Sequence, residues 1–143
     1  GYIKNVLSCR KVPLDSVHIK HYAKHRNPFN HMTVVFKKTA VLDSGSYQDM
    51  QYFEDYWLWI RMISKGFHIC NVGKIIVYAR TGISMISRRG GIAYARNCLM
   101  FALTLKKYKF LNIFEFIGLA MGRCVVAILP NVIRTKIYIS FLR

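Results

Sequence analysis

Between Leu111 and Ile133 the chain carries only two charged side chains, Glu115 and Arg123. No other stretch restricts the fold as much. A run this apolar has to leave water, either in a protein core or against lipid. Its longest uncharged part, Cys124 to Ile133, is interrupted by Pro130. A membrane-spanning helix needs about 20 predominantly apolar residues. A charge at mid-bilayer costs roughly 2.5–3.5 kcal/mol on insertion scales. A helix lying in the membrane interface, or packed on the domain, is therefore expected in preference to a span. The flanks are basic, with Lys106, Lys107, Lys109, Arg134, Lys136 and Arg143 suited to anionic head groups. An ordinary helical pair closing the core is the alternative these residues leave open.

The rest of the 143 residues sharpens this picture. Twenty-two Lys and Arg against six Asp and Glu give a formal charge of +16, which calls for an anionic partner. The cations come in ones and twos (Lys37-Lys38, Arg88-Arg89, Lys106-Lys107) with no arginine-rich arm. That pattern speaks against nucleic acid and for a membrane surface or a phosphate-bearing ligand. Cys9, Cys70, Cys98 and Cys124 are far apart and lack zinc-ligand spacing. The last three lie among apolar residues and read as reduced core thiols, which suits a reducing compartment.

Local patterns predict an α/β fold. Asp15 or Ser16 should cap a short helix that stops before Asn27-Pro28. "HMTVVFKK" reads as a buried strand, and "LDSGSYQDMQYF" as a polar loop. Tyr56, Trp59, Ile60 and Ile63 recur at helical spacing, with Gly66 as the stop. "FHICNVGKIIVYART" reads as two short strands or one bulged strand, and "GISMISRRGG" as a loop. An amphipathic helix follows from Ile92 to Lys107. Residues 1–109 are expected to form the body of the chain, and 110–143 a hydrophobic, basic helical tail.

In so acid-poor a chain, the adjacent carboxylates Glu54 and Asp55 stand out at the head of the Tyr56–Ile63 helix. They can serve merely as caps, because the helix dipole favours an acid there. The same placement holds a carboxylate rigidly, and one facing a cleft can take a proton from a hydroxyl.

In order and spacing, "NPFNHMTVVFKK", "DSGSYQDMQYFEDYWLWIRMISKG" and "RRGG" resemble the C-terminal half of bacterial family 2 glycosyltransferases of the exopolysaccharide and lipopolysaccharide type. The matching residues are Asn27, Pro28, His31, Met32 and Thr33; Gly45, Ser46 and Tyr47; and Glu54, Asp55, Tyr56, Leu58 and Trp59. Ser46 departs from the family's usual second glycine. The resemblance spans about residues 10 to 95. It implies the acceptor-side part of a glycosyltransferase A-type fold and transfer of a sugar from a nucleotide-sugar donor to a glycan or lipid-linked acceptor. By this resemblance Asp55 is the general base, with Glu54 the second choice. His31 would hydrogen-bond sugar or acceptor, and Arg88 and Arg89 would pair with the leaving diphosphate. Trp57 and Trp59 would stack on a sugar face. Each has a plainer reading: a structural histidine, a solvated basic loop, a core aromatic.

The family's Asp-x-Asp element, which holds a divalent Mg or Mn ion on the diphosphate, does not occur here. The chain is therefore expected to be a fragment or a degenerate paralogue that is inactive alone. Its expected place is cytoplasmic, peripheral to the inner face of the bacterial membrane. A non-catalytic basic module docking on membrane or an acidic partner is the alternative.

Overall fold

Six α-helices and one 3-10 turn account for the regular structure of this computed structural model, which describes residues 9–79 and 89–140. Helix α1 is Ser16–Tyr22, and Asp15 caps it by accepting from the Val17 and His18 amides at 3.1 and 3.0 Å. A 3-10 turn, His31–Thr33, precedes the short α2, Lys38–Asp43. Helix α3 runs Glu54–Ser64. It stops where expected: Gly66 takes φ +79°, its amide reaches the Ile63 carbonyl at 3.0 Å, and the Phe67 amide reaches Met62 at 3.2 Å. This double closure leaves the last carbonyls satisfied. Helices α4, Ile92–Lys107, and α5, Ile113–Ile128, form an antiparallel hairpin and make the most extensive helix–helix packing of the described residues. Asn112 and Glu115 close a capping box at the head of α5, both bonds 2.8 Å. Helix α6 is Asn131–Ser140.

The main core joins one stripe from each of four helices. Ile19 of α1, Tyr56, Trp57, Ile60 and Ile63 of α3, Cys98, Phe101 and Leu105 of α4, and Leu119, Ala120 and Ala127 of α5 are all buried in it. Its centre is aromatic, with Phe53 stacked on Phe101 at 4.5 Å and Tyr56 packed at a tilt against the same ring at 4.8 Å. The apolar tail thus closes the core of the helices before it, through the inner face of α5. No helix among the described residues is long and apolar enough to cross a membrane. Of the thiols expected inside, Cys98 is buried and Cys124 half-buried, whereas Cys70 is exposed.

The α/β expectation is corrected here: no strand forms among the described residues. Instead of a buried strand, "HMTVVFKK" makes the 3-10 turn and a short extended link into α2, which the sequence reading took for the end of a strand and a loop. Residues 67–79 form no ladder and are tied down at two points: Ile69 exchanges hydrogen bonds with the Ser16 hydroxyl, and the Asn71 backbone amide donates to the Leu14 carbonyl at 2.9 Å. Ile75, Ile76 and Tyr78 stay exposed. β-branched residues favour an extended chain, but a strand exists only once a partner supplies the ladder.

The "SGS" turn after α2 is tied to α3 from inside. Arg61 is buried, and its guanidinium donates to the Ser44 and Ser46 carbonyls. A Cβ on Gly45, at φ +81°, would lie 3.0 Å from that guanidinium, so glycine is required. Ser46, standing where a second glycine was expected, takes φ +53°. A side chain in this region costs roughly 1–2 kcal/mol. Ser46→Gly is accordingly expected to raise stability by about 0.5–1 kcal/mol after the extra unfolded-chain entropy of glycine is subtracted. A higher urea midpoint would register this, and a lower one would show that the serine hydroxyl matters more than its backbone.

Candidate functional site

Asp55 is the second residue of α3, and Phe53, not either acid, occupies the cap position. The Asp55 side chain is half-buried while Glu54 is exposed. One Asp55 oxygen accepts from its neighbour's amide, Tyr56 N, at 2.7 Å. The other accepts from the Asn27 side-chain amide at 2.9 Å. The Asn27 amide is itself oriented, because its oxygen accepts from the Phe29 N–H at 3.2 Å across the Pro28 turn. Arg10 donates to the Asn27 backbone carbonyl and to the Asn30 side chain, clamping the same loop. Asp55 is therefore anchored from two sides at a helix end whose dipole favours a carboxylate.

Tyr47 borders this group. Partial burial, and after it the Asp55 charge, push its hydroxyl above the ordinary tyrosine range. Its ring meets the exposed His31 ring edge-on at 5.8 Å, and His31 lies 6.4 Å from the Trp59 ring. Loop 27–31, the "SGS" turn and the head of α3 thus converge on Asp55, Tyr47 and His31. Beneath them, Tyr56 donates to the Ala23 carbonyl at 2.8 Å, and burial pushes its hydroxyl far up. The Arg123 guanidinium from α5 sits 5.3 Å over Phe53 and 5.6 Å over Tyr56. It lends positive charge to the head of α3 from below.

The remaining sequence candidates fall elsewhere. Trp57 is 7 % exposed and belongs to the core. Arg61 lies over its ring at 5.3 Å, Tyr108 meets it at 5.1 Å, and its indole N–H donates to Gln48 at 2.9 Å. A ring so covered has a structural place, which is the plainer of its two readings. Arg89 is exposed in the turn before α4. That turn adjoins the same end of α3, since Tyr94 touches Tyr52 at 5.1 Å and Phe53 at 6.2 Å. Arg88 lies outside the described residues.

Among the described residues no group of three or more His, Cys, Asp and Glu is placed to hold a metal ion. The donor set around Asp55 does not fit one either, because its neighbours are an amide, a phenol and an imidazole in ring contact. An open groove of about 520 Å³ beside α1, lined in part by Asp15, His18, His21 and His25, does not include Asp55. Arg10, Asn27, Tyr47 and Arg123 join the site without having been expected there. The motif that held Asn27 and Tyr47 was the available signal. Nothing local marks Arg10 or Arg123, which arrive from distant segments.

The chain is similar to three bacterial proteins named as glycosyltransferases. It is 36% identical over 147 residues, 99% of this chain and 52% of the relative, to an uncharacterized glycosyltransferase of Haemophilus influenzae. It is 40% identical over 88 residues, 62% of this chain and 33% of the relative, to the amylovoran biosynthesis glycosyltransferase AmsE of Erwinia amylovora. It is 32% identical over 134 residues, 94% of this chain and 48% of the relative, to the UDP-Gal:alpha-D-GlcNAc-diphosphoundecaprenol beta-1,3-galactosyltransferase of Escherichia coli. The chain spans about half the length of the first and third of these relatives. No protein-family model and no solved structure matches it.

Proposed function

We propose that this chain is the acceptor-side part of a family 2 glycosyltransferase that moves a sugar from a nucleotide donor to a lipid-linked, diphosphate-bearing glycan. What carries the reading is the anchored Asp55 carboxylate beside Tyr47 and His31, in a chain similar along nearly its whole length to a transferase named for a diphosphoundecaprenol-linked substrate. The supporting chemistry is brief. The Asp55 carboxylate takes the proton of the acceptor hydroxyl as the oxygen closes on the anomeric carbon. The new carbon–oxygen bond forms as the bond from that carbon to the donor diphosphate breaks, and the nucleoside diphosphate leaves with the electron pair. Asn27 fixes which Asp55 oxygen stays bonded, so the aim of the carboxylate does not wander. His31, exposed beside Tyr47, offers the acceptor sugar a hydrogen bond, and Arg88 and Arg89 offer charge to the departing diphosphate.

In this reading the donor, with the Mg or Mn ion that would neutralise its diphosphate, is held by residues of a longer protein. The reaction takes place at the inner face of the bacterial membrane. The test compares the 143-residue chain with a longer natural protein that carries it. Each is given a panel of nucleotide sugars, a divalent ion and a polyprenyl-diphosphate saccharide. The longer protein should transfer one sugar and the chain alone none. A longer protein that transfers none of them would refute the reading.

A further inference from the structure

Helix α5 is amphipathic the wrong way round for an ordinary surface helix. Both of its charges point at protein: Glu115 accepts from Lys24 at 2.7 Å, and Arg123 lies over the Phe53 and Tyr56 rings. Its outward face carries Phe114, Ile117, Met121, Val125 and Ile128, spaced three and four apart and between 44% and 81% exposed. Gly118 and Gly122, also exposed, lie among them. The row runs on into α6 with Val132, 70% exposed. On the adjoining helix, exposed Leu99 and Leu103 of α4 add to it. An apolar row of this length on one helix, with further exposed apolar side chains on its neighbours, is more than a lone soluble domain usually shows.

The rim indicates what covers this face. Arg96, Lys107, Lys109 and Lys136, all exposed, belong to α4, to the link from α4 into α5, and to α6. From residue 89 onward the sequence holds a single acid, Glu115, which is already paired with Lys24. The helices that carry this face therefore contribute cations and no free acid. A second copy would bring like charges against it, in a chain whose formal charge is +16. A plane that is apolar inside and anionic at its edge matches both features at once. The length agrees: 16 residues make a helix of about 24 Å, long enough to lie in an interface but short for a span.

We propose that the outward face of α5, with its basic rim, docks on an anionic lipid bilayer, the helix lying in the plane of the interface. This deepens the proposed function, on which it rests for its biological sense: a transferase seated this way meets its lipid-linked acceptor in two dimensions. Sedimentation of the chain with vesicles tests it. Mixed phosphatidylglycerol–phosphatidylcholine vesicles at low salt should pull the chain down, and phosphatidylcholine alone should do so weakly. Phe114→Glu with Met121→Glu should cut the partition at least about tenfold while circular dichroism and the urea midpoint stay unchanged, because both side chains are exposed. Lys107→Glu and Lys109→Glu should each cost about fivefold on the anionic vesicles alone. No binding of the original chain, or equal binding of the glutamate variant, would overturn the proposal. So would a stable dimer, seen by light scattering, that the same double substitution dissolves. Vesicle binding is read without any sugar transfer, so its failure is separate from failure of the transferase reading.

Discussion

Asp55→Asn, made in a longer protein that carries this chain, is expected to lower kcat for sugar transfer about 10²–10⁴-fold and to leave donor binding within a few-fold. The size follows from what the substitution removes. Asparagine has nearly the shape of aspartate, and its oxygen can still accept from the Asn27 amide, so the local geometry is kept. The basic oxygen is lost, and with it the place for the acceptor's proton in the chemical step. The cost to folding is small, about 0.3–1 kcal/mol of charge–dipole attraction at the head of α3. Melting temperature and donor affinity, measured on the same preparation, therefore separate a chemical defect from a structural one. Glu54→Gln is the internal control: its side chain is exposed, and turnover should fall only a few-fold. Turnover in Asp55→Asn within a few-fold of the unsubstituted protein would remove Asp55 from the base role.

The second large effect concerns the core. Phe101→Ala is expected to destabilise the fold by about 3–5 kcal/mol. Phe101 has no exposed surface, and its ring is stacked on Phe53 and packed against Tyr56. Truncation leaves a cavity that two aromatic neighbours, both fixed by α3, cannot close. Since domains of this size keep only about 5–15 kcal/mol in total, much of the stability would go. The effect also reaches the site, because Phe53 and Tyr56 lie on either side of Asp55 in the chain and their rings hold the Arg123 guanidinium. Leu103→Ala, on the outer side of the same helix, should change stability by less than about 0.5 kcal/mol. Equal urea midpoints for the two variants would mean that α4 is not the centre of the core.

The features legible from sequence are those decided within a few residues. Asp15 caps α1 because its side chain reaches amides two and three positions on. Gly66 ends α3 because only glycine takes that backbone turn without penalty. The apolar spacing of Tyr56, Ile60 and Ile63 marks the buried stripe of α3 because a helix repeats every 3.6 residues. Asp55 and His31 came forward by a different route, the resemblance in motif order, and Tyr47 stands between them.

Tertiary structure alone decided the rest. Two stretches with strand-like composition form no ladder within the described residues, since a ladder depends on a neighbour and not on the stretch itself. Trp57 and Trp59 are two residues apart on one helix; Trp57 is held among Arg61, Tyr108 and Gln48, and Trp59 faces the His31 side. The pairing of Asn27 with Asp55 joins residues 28 apart, and that of Lys24 with Glu115 residues 91 apart. The charges that argued from sequence against a membrane span, Glu115 and Arg123, turn out to face protein, leaving α5 apolar on its outer side. Local chemistry sets which helices form and where they end. Which side chains meet is a property of long-range packing, and no window of sequence contains it.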